Sequence, residues 1–82
     1  MIVNEDILSV WRKFTENGEY AGNLLKLAEK AGFSYNTVIK AINTGRCSPR
    51  VHEALNSAAS DIILEIRESA QKLKDVLRTP IA

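Results

Sequence analysis

The chain has little of the chemistry on which catalysis depends. Its 82 residues include one histidine, His52, and one cysteine, Cys47. A lone cysteine forms no internal disulfide, and Cys47 with His52 supplies half of a tetrahedral zinc site at most, with no second pair to complete it. No glycine-rich phosphate loop is present, and the carboxylates are scattered over helical segments. A non-enzyme without metal or cofactor is the expectation. The two prolines and four glycines stand singly, so no low-complexity tract or internal linker divides the chain. No apolar run is long enough to span a bilayer and no signal peptide opens the sequence, which makes a cytoplasmic, membrane-free location the default.

What is present is ordinary in amount and uneven in placement. A hydrophobic share of 45% and a charged share of 26% are those of a globular protein. At this length one domain with a single small core is expected. The formal net charge is only +1, but it is not spread evenly. Residues 1 to 25 are net negative, with Glu5, Asp6, Glu16 and Glu19 against Arg12 and Lys13. Residues 26 to 52 carry Lys26, Lys30, Lys40, Arg46 and Arg50 against Glu29 alone. From 53 onward acids slightly exceed bases. The positive charge is thus gathered in the middle of the chain.

Periodicity predicts helices and no strand. Asn4 suits an N-cap, with Glu5 and Asp6 in a favourable first turn, and Ile7, Val10, Trp11 and Phe14 recur at helical spacing before Asn17 and Gly18 end the segment. A second helix after Gly22 and Asn23 would bury Leu24, Leu27, Ala28 and Ala31 and stop at Gly32. A third, capped by Ser34, would bury Val38, Ala41 and Ile42 and break at Gly45. Ser48 followed by Pro49 signals a fourth start: a capping hydroxyl, then a proline where its missing amide is not needed. Val51, Leu55 and Ala58 would bury it. Ser60 and Asp61 could cap a fifth helix running to about Arg78, ahead of Thr79 and Pro80.

The stretch AEKAGFSYNTV, Ala28 to Val38, is the most constrained. A glycine between two short helices supplies a left-handed tight turn, and a small residue before it with a branched aliphatic after it lets the helices cross closely. The same pattern would serve two core helices with no further role. Read from Leu27, LAEKAGFSYNTVIKAIN is similar to the DNA-binding headpiece of the lactose-repressor family, down to the closing asparagine, Asn43. The continuation INTGRCSPRVHEALNSAA resembles the lambda-repressor and Cro type, in which a glycine-containing loop leads to a proline-started helix. Together the resemblance covers about residues 23 to 59. It implies an all-α lambda-repressor-like helix-turn-helix fold of four to five helices with a longer C-terminal helix. A full helix ahead of the motif matches the lambda type. No sugar-binding domain follows, so no small-molecule effector is implied.

At about 100° per residue the third helix places Val38, Ala41 and Ile42 on one side and Asn36, Lys40 and Asn43 on the other, with Tyr35 and Ile39 between. The resemblance carries Tyr35, Asn36 and Lys40 onto base-contacting positions in a major groove. The side-chain chemistry agrees, since Asn pairs with adenine, Lys reaches guanine acceptors, and a tyrosine ring meets a thymine methyl. Asn43 completes the free face. Ile39 stands where the resemblance favours a small polar residue and suits a thymine methyl or a protein contact equally. Ser34 and Thr37 suit phosphate oxygens at a helix start, and Arg46, Arg50 and Lys26 would hold the backbone.

In the tail, Ala59, Ile63, Ile66, Ala70, Leu73 and Leu77 advance by alternating steps of four and three, a heptad seam. Residues 1–58 are therefore expected to form the DNA-binding domain and 59–82 a dimerisation element through Ile63, Ile66, Ala70, Leu73 and Leu77. The alternative is a tail folded back on Trp11 and Phe14. The expected function is a phage-like transcriptional regulator, a homodimer occupying an operator in double-stranded DNA. The alternatives are an antitoxin, a DNA-recognition subunit of a phage packaging machine, or a protein-interaction adaptor that no longer binds DNA.

Overall fold

A computed structural model describes residues 1–15 and 17–78, except the side chain of Arg78. Four helices follow in order: α1 (Glu5–Arg12), α2 (Leu24–Ala31), α3 (Tyr35–Thr44) and α4 (Pro49–Arg78). Three begin at the expected caps. Asn4 Oδ1 accepts the Asp6 N–H at 2.8 Å, Ser34 Oγ accepts Thr37 N–H at 3.2 Å, and Ser48 Oγ accepts Val51 N–H at 3.2 Å. Each satisfies a donor that the helix itself leaves unpaired. α2 starts differently, because Asn23 makes no side-chain cap and instead donates Nδ2 to the Tyr20 carbonyl at 3.1 Å.

The first helix is shorter than its apolar spacing suggests. It closes after Arg12, and Phe14 reaches the core from the following turn, where its ring centroid lies 5.3 Å from that of Tyr20. The Tyr20 N–H bonds back to the Lys13 carbonyl at 2.7 Å, and this tertiary closure competes with helix continuation. The buried side of α1 is Leu8 and Trp11, while Ile7 and Val10 are only half-buried.

Leu27 from α2, Val38 and Ile42 from α3, Leu55 and Ile62 from α4, and Trp11 from α1 form the centre, all at most 2% exposed. α4 packs mainly on α2. Among the described residues there is no separate fifth helix: α4 passes Ser60 and Asp61 unbroken. Both side chains point to solvent, and no glycine or proline intervenes between Pro49 and Arg78. A residue able to cap does not end a helix whose buried face continues, and here Ala58, Ala59 and Ile62 continue it into the core. The expected stop at Thr79 and Pro80 lies outside the described residues.

Beyond Ile66 α4 leaves the globule. A helix of 30 residues is about 45 Å long, which accounts for overall dimensions of 56 × 21 × 18 Å. The radius of gyration is 15.1 Å, against about 12 Å for a compact chain of this length. No helix among the described residues is long and apolar enough to cross a membrane.

Candidate functional site

The centre of interest is α3 and the turns that hold it. α2 and α3 are joined by Gly32, Phe33 and Ser34 alone. Gly32 has φ +79°, a left-handed conformation that L side chains resist. Its N–H and that of Phe33 both bond to the Ala28 carbonyl, at 3.0 and 3.2 Å, which closes α2 sharply. Ala28 and Val38 are both buried where the two helices meet, as the small-residue and aliphatic positions predict. Ser34 Oγ and Thr37 Oγ1 lie 2.8 Å apart, so the two hydroxyls lock the start of α3 and one proton of the pair is left to donate outward.

The exit from α3 is held as firmly. Gly45, at φ +68°, turns the chain, and an added Cβ there would press on Leu8 Cδ2 at 3.3 Å. Thr44 Oγ1 donates to the Lys40 carbonyl at 2.7 Å and accepts from the Arg46 N–H at 3.2 Å. The N-terminal residues then strap this loop: Val3 N–H bonds to the Gly45 carbonyl at 2.8 Å and Cys47 N–H to the Met1 carbonyl at 3.2 Å, forming an antiparallel bridge of Ile2 with Arg46. Sequence reading missed this strap. Its only trace is the isolated pair Ile2-Val3, too short to show a period.

The outer surface of α3 divides into three strips. Asn36, Lys40 and Asn43 lie exposed along its middle. On one edge are Tyr35, 46% exposed, and half-buried Ile39. Tyr35 also lines a notch of about 330 Å³ with Phe14, Gly22, Leu24 and Leu25, and Leu25 is 58% exposed. On the other edge is Thr37, which together with Lys40 lines a groove of about 320 Å³ with Ala41, Arg46, Cys47, Ser48 and Val51. The exposed face therefore presents two amides and an ammonium, with an apolar edge on one side and a groove holding two cations on the other. Cys47 and Ser48 belong to that groove without having been singled out for it. The serine's position before Pro49 was legible, but its neighbourhood with Lys40 was not.

Thr37, Lys40 and Arg46 are thus brought together. Arg50 is exposed in the first turn of α4 and is not part of the groove lining. Lys26 is engaged elsewhere: its Nζ donates to Glu65 Oε2 at 2.8 Å, beside Lys30 Nζ to Glu65 Oε1 at 2.9 Å. These two ammonium groups, through their hydrogen bonds first and their charge second, pull the Glu65 carboxyl down to about 2, and Glu65 in turn raises Lys30. Burial pushes the Cys47 thiol above its ordinary value against the opposing pull of the N-terminal ammonium, so it is a neutral wall of the groove at neutral pH. No group of three or more metal-ligating side chains occurs among the described residues.

The seam positions of the tail fall into two sets. Ile63 and Ile66 pack against the core, whereas Ala70, Leu73 and Leu77 are exposed together with Val76, the last three at 61, 77 and 69% respectively for Leu73, Leu77 and Val76. Compared with known proteins, the chain matches no family model, no curated protein and no solved structure.

Proposed function

We propose that this protein binds double-stranded DNA sequence-specifically by inserting α3 into the major groove, as a lambda-repressor-like helix-turn-helix regulator acting through operator occupancy. The observation that carries the reading is the exposed face of α3, where Asn36, Lys40 and Asn43 offer hydrogen-bonding groups on a helix that is buried on its other side and fixed at both ends. A major groove is about 12 Å wide and admits one helix. Asn36 and Asn43 would meet base edges along the groove floor, and Tyr35 and Ile39 would offer apolar contact to a thymine methyl. Ser34, Thr37, Arg46 and Arg50 would position the backbone. Lys26 would contribute only by exchanging Glu65 for a phosphate.

The exposed apolar side chains at the end of α4 support a homodimer on this reading, with Ala70, Leu73 and Leu77 meeting those of a second copy. Two recognition helices would then address half-sites about 34 Å apart. Selection from random duplex DNA at near-physiological salt tests both points. An enriched palindrome with that spacing is expected. Binding without enrichment would sink the sequence-reading function.

The same apolar tail also favours a second reading, a protein-interaction module whose partner covers Leu73, Val76 and Leu77. Loss of all DNA binding in the selection, with a monomeric mass in solution, would move the weight there.

A further inference from the structure

Lys40 stands on the exposed face of α3, four residues after Asn36 and three before Asn43. The fold also makes it a wall of the 320 Å³ groove that it shares with Thr37, Arg46 and Ser48. We propose that this groove is a phosphate seat, in which Lys40 and Arg46 hold a backbone phosphate of duplex DNA, so that Lys40 anchors the protein and does not read a base. The inference rests on the function proposed above and sharpens it.

Four features favour an oxyanion. The lining contains two cations and no carboxylate. Among the described residues no Asp or Glu pairs with Lys40 or Arg46, whereas Lys13, Lys26 and Lys30 are all engaged by glutamates. Donors complement the charge: Ser48 Oγ accepts from Val51 N–H and keeps its own proton to give outward. The neutral thiol of Cys47 adds no competing negative charge.

The backbone around the groove is also held in place. Arg46 lies between the Thr44 hydroxyl, which takes its N–H, and the bridge to Ile2. Thr37 is tied to Ser34. The backbone that carries these side chains is thereby fixed before binding, while the exposed Lys40 and Arg46 side chains order when the phosphate arrives. The notch beside the opposite edge of α3, lined by Phe14, Gly22, Leu24, Leu25 and Tyr35, has no cation among its described lining residues.

The test compares Lys40→Ala, Arg46→Ala and Asn36→Ala on a selected duplex and on a scrambled one, across salt. A phosphate contact contributes about 0.9 to the log-log salt slope. Lys40→Ala and Arg46→Ala should each weaken both duplexes by the same factor. Each should also reduce the affinity lost between about 50 and 200 mM salt by about 3.5-fold. Asn36→Ala should change sequence preference and leave the slope alone. All three positions are exposed, and unchanged thermal melts check that the variants fold. If Lys40→Ala alters preference at one base position, Lys40 is a base reader and the seat is overturned while the DNA-binding function stands. Undiminished binding by both cation variants also overturns it. If the wild-type chain binds no duplex, the proposed function falls. Inorganic phosphate then decides the groove: saturable shifts of the Thr37, Arg46 and Ser48 amides keep the site with free phosphate as its ligand, and unmoved amides remove it.

Discussion

Trp11 shows how a large side chain is made specific. It is fully buried, yet its indole Nε1, a donor only, reaches Asn56 Oδ1 on α4 at 3.0 Å. That contact fixes the amide orientation, so Asn56 Nδ2 faces His52 Nδ1 at 3.4 Å, and the His52 ring meets the indole edge-on at 5.6 Å. Asn56→Leu would leave the indole N–H without a partner, and a loss of about 1–3 kcal/mol is expected from denaturant unfolding. Adding Trp11→Phe should recover part of that loss, since the orphaned donor is then gone. At the fully buried Leu55, substitution by alanine leaves a cavity and is expected to cost about 2–5 kcal/mol. The apolar character of Trp11 and Leu55 was legible in the spacing. The partner of Trp11 was not, because Asn56 lies 45 positions away.

At the scale of elements, the turn between α2 and α3 tests backbone conformation apart from packing. A Cβ on Gly32 would meet nothing within 4 Å, so the cost of Gly32→Ala comes from the left-handed φ alone, about 1–2 kcal/mol. Gly32→Asn should cost less, because asparagine tolerates that region. Equal destabilisation by both would show that something other than backbone strain is at work. The apolar joint between α2 and α4 has a pH-dependent ion pair at its rim. Glu65, depressed to about 2 when folded, contributes stability that is present above the ordinary carboxyl pKa of about 4.3 and is lost as pH falls toward 2. Lys30, raised when folded, contributes below its ordinary value and loses that contribution at strongly alkaline pH. Both groups are solvent-exposed and the effect is small. Melting temperatures of the wild-type chain and Glu65→Gln should differ slightly at pH 7 and converge as pH drops from about 4.3 to 2.

On the scale of the whole molecule, α4 has two parts with different work. Up to Ile66 it completes the core; beyond, it projects the exposed Leu73, Val76 and Leu77. A chain ending at Ser60 would lose Ile62, fully buried, along with the packing of Ile63 and Ile66, and should be destabilised by at least about 2–5 kcal/mol. A chain ending at Glu68 keeps these side chains and should melt as a folded protein, with a monomeric mass in sedimentation if the projecting strip joins two copies. Unfolding of the longer form would show that the distal half of α4 stabilises the globule in some other way.

The sequence determined what is local. Asn4, Ser34, Ser48 and Pro49 announce helix starts because a cap is a contact within three residues, and Gly32 and Gly45 announce helix ends because their backbone conformation is nearly their own property. The all-helical character and the buried sides of α2 and α3 follow from period alone. Tertiary structure decided whatever depends on distant partners. It ended α1 early, because Tyr20 closes on Lys13, and carried α4 through Ser60 and Asp61, because Ile62 had a core to enter. It set the N-terminal strap against the loop after α3 and gave Lys26 to Glu65. It also made a groove beside the exposed side of α3, since only the folding of the following loop and the start of α4 against that helix brings Lys40 to the same groove as Arg46.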